Sequence, residues 1–248
     1  SRSCLPRSRF GDDLPLARRS KPPRPRGPGI ANTLRAMVIA MAATGAVLVL
    51  LLGPLRFWRP SEPVPGLKAS LSRDGRLLGH FPYPEAPASE LVEVGPDLRL
   101  RSEAAAAFEA MRQAAARDGV ELRLLSGFRS VALQRELFFD VGAARYQTAD
   151  TRAKVSAPPG YSEHGTGYAV DLADPTAPGT DLSTSFEETK AFRWLRQNAV
   201  RYHYRLSFPR HNRQGVTYEP WHWRFEGSTK ALILFEPASR LARSVPSP

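Results

Sequence analysis

Two short strings constrain this chain more than any other feature. They are Ser-Glu-His-Gly-Thr-Gly-Tyr-Ala-Val-Asp, from Ser162 to Asp171, and Glu-Pro-Trp-His-Trp-Arg, from Glu219 to Arg224. Between them they hold His164, Asp171 and His222, three side chains able to ligate one divalent metal, and a spare carboxylate, Glu219, three residues before the last histidine. Three protein ligands leave a tetrahedral Zn2+ one open position, which separates a catalytic zinc site from a structural one. Any fold adopted by the chain must therefore gather residues that are distant in sequence.

Local chemistry supports that gathering. Gly165 and Gly167 permit a tight bend after His164, and Tyr168 to Asp171 can then run extended and return the carboxylate to the same centre. On a strand, His222 projects to the face opposite Trp221 and Trp223, so the indoles can wall a site that the imidazole faces. Glu219, one step outside the ligands, is a candidate base for metal-activated water. The competing reading of Glu219 is a surface pair with Arg224, and His80, His203 and His211 read as surface or satisfied core histidines. The constellation is the skeleton of a zinc hydrolase.

The net charge of +11 resembles that of a nucleic-acid binder, but its distribution argues otherwise. Residues 1–35 carry nine Lys/Arg against Asp12 and Asp13, while from residue 61 onward 24 basic face 22 acidic side chains. A basic tail on a near-neutral remainder is weak evidence for a nucleic-acid surface on the folded part, and no nucleic-acid partner is expected. The single cysteine, Cys4, excludes an intrachain disulfide and any thiolate chemistry in the folded part.

Ala36 to Leu52 is free of charge, and with Gly53, Pro54 and Leu55 it reaches a length of roughly 30 Å as a helix, about one bilayer core. Arg56, Phe57, Trp58 and Arg59 follow as an interfacial collar. The run is long for a signal peptide, and no small-residue cleavage site follows it. The expectation is a single-pass signal anchor, with the basic tail inside and the C-terminal domain on the extracytoplasmic side.

The chain thus divides into a disordered basic tail (1–35), a transmembrane anchor (36–55), a Pro-rich stalk (56–89), a folded domain (90–236) and a C-terminal tail (237–248). Within the domain, Ser102 to about Arg117 reads as a capped helix with Ala106, Phe108, Met111 and Ala115 on its apolar stripe. Val120–Leu125 reads as a strand, and Ser126–Ser130 as a turn in which Ser130 caps a helix carrying Leu133, Gln134, Leu137 and Phe138. A mobile connection through Pro158-Pro159-Gly160 follows. Tyr168–Leu172, Tyr202–Phe208 and Trp221–Phe225 read as strands and Phe186–Val200 as a helix with Phe192 and Leu195 inward. Elements mixed without regular βαβ alternation point to an α+β fold around one sheet.

The two strings resemble the LAS family of peptidoglycan metallopeptidases, in particular its vancomycin-resistance-type D,D-carboxypeptidases. That family's patterns are Ser-x-His-x-x-Gly-x-Ala-x-Asp and Glu-x-Trp-His, and both stand here without substitution. Upstream, Ser126-Gly127-Phe128-Arg129-Ser130 with Gln134 is similar to the family's Ser-Gly-Tyr-Arg-Ser followed by Gln, so the likeness spans roughly residues 90–236. It implies the small α+β zinc domain shared by these peptidases and the hedgehog signalling domain, with His164, Asp171 and His222 as Zn2+ ligands and Glu219 as general base. Arg129 then matches a substrate-clamping, charge-stabilising arginine, and Gln134 and Ser162 match residues that help to hold a terminal D-alanine. The implied activity is a zinc-dependent carboxypeptidase acting on peptidoglycan stem peptides. L,D-carboxypeptidase action on tetrapeptide stems and a non-catalytic zinc-containing wall-binding module are the alternatives. Two departures bear on substrate preference: Phe128 replaces the usual tyrosine, and the segment Arg201–Leu206 lacks the glycine that usually opens the corresponding strand.

Overall fold

The computed structural model describes residues 64–244. The basic tail, the apolar run expected as an anchor and the first part of the expected stalk lie outside the described residues. Among the described residues no helix is long and apolar enough to cross a membrane.

A hairpin of β1 (Leu91–Gly95) and β2 (Leu98–Arg101) leads into α1 (Ser102–Arg117). The central sheet follows from β3 (Arg123–Ser126), β4 (Ala169–Ala173), β5 (Tyr204–Leu206) and β6 (His222–Phe225), antiparallel throughout in the order β3-β4-β6-β5. Between β3 and β4 come α2 (Val131–Ala144) and the short α3 (Ala149–Ala153); α4 (Lys190–Asn198) precedes β5, and α5 (Thr229–Arg243) closes the domain. This is the expected α+β arrangement.

Side-chain alternation divides the sheet into two faces. Val170 and Leu172 of β4, with Trp223 and Phe225 of β6, face the main core, where they meet Ala104, Phe108 and Met111 of α1, Phe192 and Leu195 of α4 and Phe235 of α5. Burying a leucine or phenylalanine of this kind contributes about 1.5–3 kcal/mol. Asp171, His222 and Arg224 occupy the other face, so β4 and β6 are buried on both sides. The polar site thus stands on the back of the core.

Helix termini follow their sequence signals in part. Ser130 caps α2 by accepting from the Leu133 N–H, and Thr189 caps α4 through the Phe192 N–H. The α1 cap does not match: Arg101 holds the N-cap position without a side-chain bond, and the Ser102 hydroxyl turns to Glu103. Phe108, Met111 and Ala115 are buried as expected, but Ala106 is exposed, and Ala104, Ala105 and Ala114 are buried as well. The helix expected over 186–200 is three pieces, a 3-10 turn at Thr184–Glu188, α4, and a second 3-10 turn at Ala199–Tyr202, because Thr189 restarts the helix with its own cap. The missing glycine of the 201–206 segment has a structural counterpart: His203 takes a left-handed conformation, φ 61°, just before β5.

Two boundaries need correction. Residues 64–89, expected as a stalk, are packed: Val64, Leu67 and Leu77 form a second apolar cluster with Phe138, Ala153 and Tyr161, while Phe81 and Tyr83 join the main core. The prolines bar regular structure there without barring burial, since backbone groups pair irregularly, as Tyr83 N–H does with the Gly160 carbonyl. At the other end, α5 runs beyond residue 236 to Arg243, carried through Pro237 by burial of Phe235 and Ala238. The connection expected to be mobile between α2 and β4 contains α3, whose Ala153 is buried.

Candidate metal centre

Sheet register brings the first two ligands together. Asp171 on β4 lies directly opposite His222 on β6, and opposite Ser126 on β3 from the other side. Directly opposed residues share a face, so Asp171 and His222 are neighbours although far apart in the chain. Asp171 Oδ1 is 3.1 Å from His222 Nδ1.

His164 arrives from a 3-10 turn, Glu163–Thr166, where the Ser162 hydroxyl accepts from the His164 N–H. Gly167 ends that turn at φ 73°, where a Cβ would lie 2.8 Å from Leu91 Cδ2 and 3.1 Å from Arg101 Cγ. Only glycine suits both the conformation and the contact. His164 Nε2 thereby comes 3.2 Å from Asp171 Oδ2. His164, Asp171 and His222 offer ligand atoms all within 4.8 Å of one another, and all three residues are buried.

The ring nitrogens are assigned by their outer partners. His164 Nδ1 donates to the Gly127 carbonyl at 2.7 Å, which leaves Nε2 facing Asp171. Gly127 can make this approach because it lies against β2, where a Cβ would stand 2.5 Å from the Arg99 carbonyl oxygen. His222 Nε2 donates to Glu163 Oε2 at 3.0 Å, leaving Nδ1 for the centre. Two imidazole nitrogens and one carboxylate oxygen form a donor set that fits Zn2+.

Electrostatics follows from these contacts. Burial works against the Asp171 carboxylate, but His164 and His222 outweigh it and hold its pKa far below the usual range. Burial also opposes the Glu163 charge, and is overcome by Arg224 at 2.7 Å, by His222 and by Ser207. His222 is protonated well above its ordinary range: burial opposes its charge, but carboxylates at both ring nitrogens win. His164 is pushed down, chiefly by burial.

Glu219 Oε2 lies 4.0 Å from His222 Nδ1. Burial pushes its carboxyl up to about 8; His222 counteracts this, and the nearby Asp171 and Glu163 charges add to the rise. A cation among the three ligands offsets those negative charges and favours the carboxylate. Arg224, the alternative partner for Glu219, pairs with Glu163 and Glu226 instead.

Arg129 stands at the turn after β3, its guanidinium 3.8 Å from Asp171 and bonded to Gln134 Oε1 at 2.9 Å and Ser126 Oγ at 3.2 Å. Gln134, expected to touch substrate, is only 1% exposed, and its amide nitrogen donates to the Ala157 carbonyl and Ser156. Its place is behind Arg129. Ser162, Arg129 and Glu219 line one cavity with the three ligands, about 550 Å³ in volume. Trp221 lines it as well, whereas Trp223 lies in the core; Trp221 precedes β6 on a turn and escapes the strand's alternation. His80 is a satisfied buried histidine, bonded to the Ala153 carbonyl at 2.7 Å.

Glu163 was not anticipated from the sequence. Its only signal is that it is charged within a string whose other charged groups serve the centre. Arg145 and Arg152, which also line the cavity, carry no sequence signal.

The VanY family, D-alanyl-D-alanine carboxypeptidase, matches residues 97–228, more than half of the chain, including every residue of this centre. The chain belongs to that family. It is 34% identical over 139 residues to the putative carboxypeptidase YodJ of Bacillus subtilis (strain 168), a stretch covering 54% of this chain and 49% of that protein. Among solved structures, that of the LdcB LD-carboxypeptidase superposes with a TM-score of 0.56 at 26% identity, over 75% of this chain and 94% of the other. VanYB in complex with D-alanine-D-alanine gives a TM-score of 0.52 at 27% identity, over 66% of this chain and 94% of the other. These likenesses agree with the α+β fold described above. The chain spans about half the length of most of the curated relatives that it matches.

Proposed function

We propose that the chain is a zinc-dependent carboxypeptidase that removes the terminal D-alanine from peptidoglycan stem peptides. The observation that carries this reading is the shared cavity in which His164, Asp171 and His222 converge beside a half-buried, unspent carboxylate and a half-buried guanidinium. A zinc ion held by the three ligands supplies Lewis acidity toward a peptide carbonyl and toward water.

The chain's own residues do the rest. Arg129, held rigid by Gln134 and Ser126, presents N–H donors to the substrate's C-terminal carboxylate or to the developing oxyanion. Glu219 takes a proton from water as its oxygen bonds to the scissile carbonyl carbon. As the C–N bond breaks, Glu219 returns that proton to the leaving amine nitrogen, and D-alanine and the shortened peptide depart. Ser162 offers a hydroxyl at the cavity wall, and Gln134 acts through Arg129 as a positioning residue.

A specific likeness favours a second reading, L,D-carboxypeptidase action on tetrapeptide stems: the LdcB superposition covers nearly all of that chain. Incubating the full chain with penta- and tetrapeptide stems and weighing the products decides between them. Release of D-alanine from the pentapeptide supports the D,D reading; cleavage of the tetrapeptide alone replaces it with the L,D reading, and cleavage of neither rejects both. The residues 36–55 are proposed, from their sequence, to anchor the domain outside the cytoplasmic membrane; protease accessibility of the domain in intact spheroplasts tests this.

A further inference from the structure

Arg145 and Gln147 lie on the turn between α2 and α3, Arg152 lies within α3, and all three line the same cavity as the metal ligands. Arg152 is 7% exposed. One of its terminal nitrogens donates to the Leu137 carbonyl at 2.7 Å, and its Nε has no partner. Its stem packs against Gly142, where a Cβ would already stand 3.5 Å from Arg152 Cγ. Gln147 Oε1 is also buried without a partner.

The other buried arginines are treated differently. Arg101 pairs with Glu90, and Arg224 with Glu163 and Glu226. Among the described residues, Arg152 and Arg145 have no carboxylate at ion-pair distance. Burial depresses the Arg152 pKa, and the neighbouring Arg145 charge depresses it further. A buried guanidinium lining a solvent cavity that a second, exposed arginine also lines is an arrangement that an anion stabilises.

We propose that Arg145 and Arg152 form a second anion subsite of the catalytic cavity, which takes a substrate carboxylate other than the C-terminal one, with Gln147 Oε1 accepting from an N–H on the same carbon. This inference rests on the stem-peptide reading above. Stem peptides supply that chemistry from two sources. A γ-linked D-glutamyl residue carries a free α-carboxylate beside its amide N–H, and a diaminopimelyl side chain ends in a carboxylate beside an ammonium. Amidation of the first, or lysine in place of the second, removes the anion.

The test uses the zinc-loaded full chain and synthetic stem pentapeptides, varying D-glutamate against its α-amide and diaminopimelate against lysine. For the acid at the recognised position, kcat/KM should exceed that of its neutral counterpart by about tenfold, the scale of one charge-assisted contact. R145Q and R152Q should each shrink that ratio to about threefold or less. Because R152Q also loses its bond to Leu137 and can destabilise the fold, the exposed Arg145 provides the cleaner variant, and the selectivity ratio is a readout that a purely structural role leaves unmoved. No acid preference at either position, or a preference unchanged in both variants, overturns the subsite. Calorimetric titration of E219Q with the same four peptides separates the two readings. Acid-dependent, Arg145-dependent binding without cleavage by the wild type leaves the subsite standing and removes the carboxypeptidase assignment. Cleavage with equal binding of all four peptides does the reverse.

Discussion

Asp171 and His222 face each other across one rung of the β4–β6 ladder, with Oδ1 3.1 Å from Nδ1, and Glu163 holds the other nitrogen of the same imidazole. Flanked by two carboxylates, His222 keeps a proton in the metal-free protein far above the ordinary histidine range, although burial opposes the charge. A metal ligand must be deprotonated. Zinc binding near pH 7 should therefore release at least one proton, and apparent affinity should fall about tenfold per pH unit as the solution is acidified. Calorimetry in buffers of differing ionisation enthalpy reads the proton count directly; zero release contradicts the assignment of His222 as a ligand.

Replacing Glu219 with glutamine keeps its size and removes its basicity. The E219Q protein should bind one equivalent of zinc and lose about 10²- to 10⁴-fold in kcat, the usual share of a positioned general base. Metal content by mass spectrometry and turnover on a stem peptide are measured on the same sample. Turnover within a few-fold of wild type sinks the role given to this carboxylate.

Glu163 serves two partners, so its loss should show in two measurements. E163Q weakens the acceptor for His222 Nε2 and should lower zinc affinity by about 10- to 100-fold in a chelator competition. It also leaves Arg224, 6% exposed, with only Glu226 among its carboxylate partners. Loss of a buried ion-pair partner costs about 3 kcal/mol, which urea unfolding of the metal-free protein resolves.

The pH dependence of the metal-free fold should carry two opposite signatures. Asp171 and Glu163 have depressed folded values, so their contribution is complete above the unfolded values of about 4 and disappears as pH falls further. Glu219 has a raised value, about 8, so its contribution is present below about pH 4 and is lost as pH rises toward 8. E219Q should flatten the stability curve between about pH 4 and pH 6.5 and leave in place both the acid limb and the decline above about pH 6.5 that the raised His222 value produces. An unchanged slope in that window would show that Glu219 is not held neutral by burial.

Gly167 ends the turn that carries His164, and alanine there meets both a left-handed φ and the side chains of Leu91 and Arg101. G167A should cost about 1–3 kcal/mol and loosen zinc binding through His164. G165A is the control: its Cβ would meet only the Arg129 carbonyl oxygen, at 3.7 Å, and its φ is not left-handed. Equal effects of the two substitutions count against the turn as the device that positions His164.

Much of the centre was legible because its parts are local. Donor type identifies a ligand, glycine identifies a bend, and period-two alternation identifies the face on which His222 stands. The same alternation failed for Trp221, which precedes the strand. Gln134 was legible as a member of the site but not in its role, since only packing shows that both ends of its amide are engaged by Arg129, Ser156 and Ala157. The prolines between residues 60 and 87 read as a stalk because composition reports that regular ladders are barred, and says nothing of whether the chain is buried.

What the linear chain determined by itself was the chemistry on offer: two imidazoles and a carboxylate with glycine hinges, a spare glutamate beside the last ligand, and an arginine at the end of a strand. What only the tertiary structure decided was which charges meet. Glu163 could equally have faced solvent, and Arg152 could have had an acidic partner. Ion pairing and desolvation depend on distances of a few ångströms between residues far apart in the chain, and those distances exist only once the sheet register and the packing of α2 and α3 against it are set.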